Sequence, residues 1–202
     1  MKLLLTLVAA TAAVAGAAYI SASHGGGEVT DGSSASRLSV AAAGEGSALD
    51  RLERSAKVKA STRRSLGTMR LSAGREIELF MAQTSDGTAC VIERESGVGA
   101  SASCLVDGLF RHRKVEFSIR FEGGPRWFDE LYVSGVVAPS IHAAELVMTN
   151  GAVATLSLTA GRTFLFESTR EALERGIHPT AFRLYGPRGK LVETHTFRPP
   201  GS

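Results

Sequence analysis

The chain has 202 residues, 44% hydrophobic and 21% charged, which is enough for one globular domain plus extensions. Its formal charge of +3 is only mildly basic. Without basic residues clustered beside aromatics or inside a known motif, that charge gives no ground for nucleic acid as a partner.

Met1-Lys2 is followed by an uncharged run from Leu3 to Ala22, the layout of an export signal, and Ala15-Gly16-Ala17 and Ala22-Ser23 offer cleavage sites. The same run of about 20 residues is long enough to cross a bilayer once. Residues 1–24 are therefore read as a signal peptide or a membrane anchor. Either reading puts the remainder outside the cytoplasm, secreted or tethered by residues 3–22. Residues 25–46 are dominated by Gly, Ser and Ala, including Gly25-Gly26-Gly27, and read as a flexible spacer because they offer little apolar surface against their ordering entropy.

Over residues 47–69 the pattern predicts a basic amphipathic helix. Leu49, Leu52 and Ala56 recur at helical spacing, Ser47 can cap, and Asp50 lies in the first turn. Arg51, Arg54, Lys57, Lys59, Arg63 and Arg64 outnumber Asp50 and Glu53 on it. A peripheral contact with an anionic membrane or cell-wall polymer is one reading; a solvated helical stalk is the favoured one.

The domain proper is placed at residues 70–198. Apolar-rich strands are predicted at 76–83 and 88–94 around the turn Ser85-Asp86-Gly87, and again at 101–106 after Ser96-Gly97-Val98-Gly99. The only two cysteines, Cys90 and Cys104, fall on the last two of these segments. In an exported chain that points to a disulfide closing a loop of about 15 residues, worth on the order of 3 kcal/mol. Two cysteines without a nearby His pair are too few for a metal site, and their spacing is too long for a redox pair.

Residues 113–122 alternate strictly, with Val115, Phe117, Ile119 and Phe121 between Lys114, Glu116, Ser118, Arg120 and Glu122, so one buried and one wet face are expected. Trp127, the lone tryptophan, reads as core in preference to a ligand-stacking platform. From Trp127 to Glu167 three or four consecutive antiparallel strands are expected to form a meander, with a type I′ hairpin turn at Asn150-Gly151. Ser168 and Glu171 make a capping box before a short helix that runs to Arg175, and Gly176 stops it. Residues 179–185 and 190–197 form the last hairpin around Gly186-Pro187-Arg188-Gly189. The fold class is accordingly all-β, an antiparallel, Ig-like β-sandwich of about 7–9 strands, with one N-terminal helix and a short helix in a late loop.

Four of these features also carry a resemblance. They are Asp86-Gly87-Thr88-Ala89-Cys90, the Gly-containing loop to Cys104, the segment from Tyr132 through Gly135 to Pro139, and Asn150-Gly151. Together they resemble a group of uncharacterised exported proteins common in high-GC Gram-positive bacteria. The resemblance covers roughly residues 77–194, with departures at Ser140-Ile141, Arg162-Thr163 and Tyr185-Gly186-Pro187-Arg188-Gly189. What it implies is a fold of turns and a disulfide; it carries no assigned chemistry.

Chemistry-bearing motifs are missing from the sequence. There is no His-Glu-x-x-His, Gly-x-Ser-x-Gly, phosphate-binding loop or Gly-x-Gly-x-x-Gly, and His142 and Glu145 would point to opposite faces of a strand. No catalytic, cofactor-binding or metal residue is assigned, and no cofactor is expected. Two functions stay open: a non-catalytic extracytoplasmic module that binds a protein, peptide or envelope polymer, or a hydrolase whose site assembles in three dimensions from Asp107, His112, Asp129 or His142. The first should show an exposed apolar or aromatic patch; the second should show a pocket holding a His and a carboxylate.

Overall fold

Period-two alternation sorts about half of the described residues into short antiparallel strands, and hydrogen-bonded ladders then gather them into three sheets. The structure is a computed structural model that describes residues 35–41, 47–122 and 130–196. In chain order the elements are β1 (Ala35–Ala41), α1 (Ala48–Ser55), β2 (Arg64–Arg70), β3 (Glu76–Gln83), β4 (Ala89–Glu95), β5 (Gly99–Leu105) and β6 (Val115–Glu122). They continue with β7 (Glu130–Val137), β8 (Ala143–Met148), β9 (Val153–Leu156), β10 (Thr163–Glu167), α2 (Arg170–Glu174), β11 (Pro179–Tyr185) and β12 (Leu191–Thr196). The first sheet has the order β1-β5-β4-β3-β2, the second β10-β7-β6 and the third β12-β11-β8-β9.

The second sheet is the middle layer. Val115, Phe117 and Ile119 of β6, with Leu131 and Val133 of β7, pack against Leu146, Phe182 and Leu184 of the third sheet in one apolar core. The opposite face of the same two strands meets the first sheet, where Arg120 reaches Glu93 at 3.2 Å and Tyr132 reaches Glu95 at 2.6 Å. The sandwich of two sheets expected from sequence is thus replaced by three. The expected wet face of residues 113–122 is covered too, and Glu116 is only 2% exposed. A charged row that faces a second sheet has the same period as one that faces water, so alternation alone could not tell them apart.

The far face of the first sheet carries α1. Leu49 and Leu52 settle on Ala82, Cys90, Ile92, Ala100, Ala102 and Cys104. Small side chains and a disulfide there let the helix approach closely. Cys90 and Cys104 sit directly opposite each other on β4 and β5, bonded, with Cα atoms 4.0 Å apart. Ser47 caps the helix by accepting from the Asp50 amide at 3.0 Å, as expected.

The helix read over 47–69 is much shorter, however. It stops at Ser55, Lys57 turns the chain with a φ of 54°, and Arg64–Arg70 is the edge strand β2. Nor is the spacer read over 25–46 wholly outside the fold, since Ala35–Ala41 pairs antiparallel with β5 from Ala35↔Leu105 to Ala41↔Gly99.

The meander expected from Trp127 to Glu167 is divided between two sheets. β7 pairs with β6 and β10, whereas β8 pairs with β9 and β11. Pro139 and Ser140 carry the chain across, after which the His142 amide donates to the Tyr185 carbonyl at 2.7 Å and commits β8 to β11. The β8–β9 hairpin is real, but its turn is not type I′. Of the Asn150-Gly151 pair only Gly151 has positive φ, 80°, and its amide donates to the Met148 carbonyl at 2.9 Å. The late helix is capped one residue downstream of the expected Ser168, where Thr169 accepts from the Ala172 amide at 3.2 Å.

Two glycines permit close approaches, one between sheets and one within the second sheet. A Cβ at Gly161 would lie 1.7 Å from the Leu66 carbonyl oxygen, where the loop before β10 crosses β2. One at Gly135 would lie 2.4 Å from the Glu116 carbonyl oxygen and 2.7 Å from the Phe164 ring.

Candidate functional site

The third sheet buries one face and shows the other. Ala144, Leu146, Phe182 and Leu184 point into the core, so the alternate residues must line the outer face. Register places them together: Glu145 lies between Thr155 and Arg183, Val147 lies between Val153 and Ala181, and Arg183 pairs with Thr194. Tyr185 stands on the same face, and its hydroxyl donates to Glu145 Oε2 at 2.6 Å. That bond with Glu145 holds the phenol above its ordinary pKa, so Tyr185 stays a protonated donor at neutral pH.

The rim of this face is apolar. Val153 is exposed on β9, and Leu191 and Val192 are each 49% exposed at the start of β12, where a bulge brings Leu191 opposite Tyr185. The result is a flat surface with one aromatic ring, one carboxylate and one guanidinium among valines and threonines. Such a surface can stack, accept and donate.

A second cluster of ionisable groups lies between the first and second sheets. Glu93 and Glu95, each 4% exposed, are i,i+2 neighbours on the inward face of β4. Arg120 donates to Glu93 and, at 3.1 Å, to the Ser101 hydroxyl. Ser134 donates to Glu93 from β7. Arg75 donates to Glu95 at 2.6 Å and also to Glu130.

Burial raises the Glu95 pKa, and the Tyr132 hydrogen bond and the Arg75 charge only partly offset it. Burial also lifts Tyr132, with Glu93 and Glu95 adding to it. At Arg120 burial works to lower the pKa, but Glu93 beside it more than reverses this. These carboxylates are committed to Arg120, Tyr132 and Ser134 of the facing sheet and to Arg75 before β3, which is the chemistry of a clamp.

The residues singled out from sequence fall as follows. Cys90 and Cys104 form the disulfide. Asp107 and His112 meet at 3.3 Å on the exposed loop between β5 and β6. His142 is exposed just before β8 in the third sheet. Asp129, Trp127 and residues 1–24 lie outside the described residues. Of the basic residues at 47–69, Arg63 is tied to Glu53 at 2.8 Å and lies over the Phe80 ring, while Arg54, Lys57, Lys59 and Arg64 are exposed.

Among the described residues no three His, Cys, Asp or Glu gather to hold a metal ion. Sequence reasoning missed both the outer face of the third sheet and the ionic clamp. The one signal available was the complementary charge of two alternating strands, Glu93 and Glu95 in β4 against Arg120 in β6. No protein-family model, no curated protein and no solved structure matches this chain.

Proposed function

We propose that the protein is a non-catalytic binding or interaction module that works outside the cytoplasm and recognises its partner through the outer face of the third sheet. The carrying observation is the outer face itself, where half-buried Tyr185 bonds Glu145 beside half-exposed Leu191 and Val192, and Val153 is exposed on the opposite edge strand. Exposed apolar side chains beside an aromatic ring offer a partner surface to bury. The buried carboxylates support the same reading because they are spent on arginines and hydroxyls inside the scaffold. Export through residues 1–24 accords with the Cys90–Cys104 bond, since disulfides persist in oxidising compartments.

The test is retention from the native envelope on immobilised protein. Whatever protein, peptide or polymer the wild type holds should be lost with Tyr185→Ala and Val153→Glu. It should be kept with Val106→Glu, an equally bold change at an exposed loop position away from that sheet. Retention that ignores the sheet variants would remove the proposal.

The hydrolase reading keeps one observation in its favour, the Asp107–His112 contact. Hydrolysis of an envelope substrate that disappears with His112→Ala would favour it instead.

A further inference from the structure

The edges of the three sheets are not equally protected. A strand edge presents unpaired amides and carbonyls, and proteins blunt it with shortness, charge, bulges or cover. β9 is four residues long. β2 carries Arg64 and Arg70 at its ends and a bulge between Ser65 and Gly67, and the loop before β10 crosses it at Leu66. β12 differs, with six residues, Leu191–Thr196, at the edge of its sheet and no lysine, arginine or proline among them. Its bulge is confined to its start, leaving Glu193 to Thr196 in regular register with β11.

The strand is also complementary to itself. In an antiparallel pair, directly opposed residues share a face. A two-fold axis through Thr194 therefore sets Thr194 against its own copy, Glu193 against His195 and His195 against Glu193. Both members of that pair lie on the inner face and are already positioned by Lys114, just before β6, and Phe117 within it. Glu193 Oε2 accepts from the Lys114 amide at 2.9 Å, and the His195 ring stands edge-on to Phe117 with centroids 5.5 Å apart. On the outer face Thr196 comes to lie beside the half-exposed Val192. An acid and an imidazole opposed twice about one axis form a complementary hydrogen-bonding pattern, and closed two-fold pairing is the commonest form of self-association.

We propose that β12 pairs antiparallel with β12 of a second copy about Thr194, making one eight-stranded sheet from two third sheets. This does not rest on the recognition reading above. If both hold, the dimer presents two outer faces as one continuous surface.

The experiment uses the full chain in detergent solution with a short thiol-specific cross-linker. Thr194→Cys should give a covalent dimer as its main product, because the two thiols meet at the axis. Thr196→Cys should not link to itself, because its copies stand four residues out of register. Thr155→Cys, on the far edge strand β9, should stay monomeric. In light scattering, Thr194→Lys should shift the chain from dimer to monomer mass while its circular-dichroism spectrum stays that of the folded wild type, since it sets like charges face to face. Absence of the Thr194→Cys dimer overturns the proposal, as does a Thr194→Lys chain that remains dimeric. Equal linking at Thr155 and Thr194 also overturns it, by showing association elsewhere in the chain. A wild-type monomer whose β12 amides are protected from exchange only when an added peptide is present would assign the edge to a different partner, and so overturns it too.

Discussion

The middle sheet meets its two neighbours in opposite ways. Toward the third sheet it offers Phe117, Ile119, Val133 and Phe164, and the contact is apolar, with the Phe117 and Phe182 rings 4.7 Å apart and those of Phe164 and Phe182 5.5 Å apart. Toward the first sheet the same layer offers Arg120, Tyr132 and Ser134 to Glu93 and Glu95, beside a small apolar patch in which Leu71 and Ile77 pack on Tyr132. Apolar burial is non-directional and stabilises in proportion to area. A buried ionic contact recovers its desolvation cost only in good geometry, so it adds little net stability while penalising misalignment strongly. The large apolar interface therefore supplies most of the stability, and the mixed one, with its buried ion pairs, fixes how the first sheet sits on the second.

The largest effect should come from the apolar side. Phe164→Ala removes a fully buried ring at the centre of the core and should cost about 3–5 kcal/mol in urea unfolding. A cost near zero would mean that the second and third sheets are not packed as described.

On the ionic side, Glu93→Ala should cost roughly 3 kcal/mol, because it strands the nearly buried Arg120 guanidinium, 12% exposed, without its carboxylate. The double change Glu93→Leu with Arg120→Met should fall back to within about 1 kcal/mol of wild type, since it removes the desolvation cost together with the pair. If the double variant is as unstable as the single one, the clamp contributes stability and the contrast between the two interfaces is broken.

A smaller effect concerns pH. Glu95 has a folded pKa above its unfolded value, with Arg75, Glu93, Arg120, Glu130 and Tyr132 around it. The folded state then binds this proton more tightly than the unfolded state does, so stability falls as pH rises from the unfolded value of 4.5 through the raised folded pKa. Melting midpoints measured upward from that pH should decline for the wild type, and Glu95→Gln should flatten the decline. A steeper decline in the variant would assign it to other groups.

The smallest effect belongs to the open face. Thr155→Ala, exposed on β9, should change stability by under about 0.5 kcal/mol. A larger loss would show that something covers the outer face of the third sheet.

Much of the local structure was legible in the sequence. Glu76–Gln83 and Pro179–Tyr185 carry their strand boundaries in apolar runs and turn residues, Ser47 marks a helix start, and Cys90 and Cys104 announce their bond. β2 was hidden because Arg63, Arg64 and Leu66 continue a basic helical pattern past the break at Lys57. β1 was hidden by its small residues, although Leu38 and Val40 alternate with Arg37 and Ser39; its recruitment rests on a ladder of backbone bonds to β5. The outer face of the third sheet was hidden for a different reason, since nothing in the Tyr185 or Val153 neighbourhood says which side of a strand will be left uncovered.

The sequence by itself determined where strands such as β3 and β11 begin and end, that two strands are joined by a disulfide, and that an apolar row runs through residues 115–121. Those properties are set by neighbours along the chain, through backbone sterics, turn conformations and the two-residue period of side chains. Only the tertiary structure decided that β7 and β8 part into different sheets, that Glu116 and Arg120 face protein, and that Tyr185 faces outward. Those depend on which sheet lies across about 10 Å of side chains from which, and residues that meet across that gap, such as Glu93 and Arg120, are related by packing and by no local period.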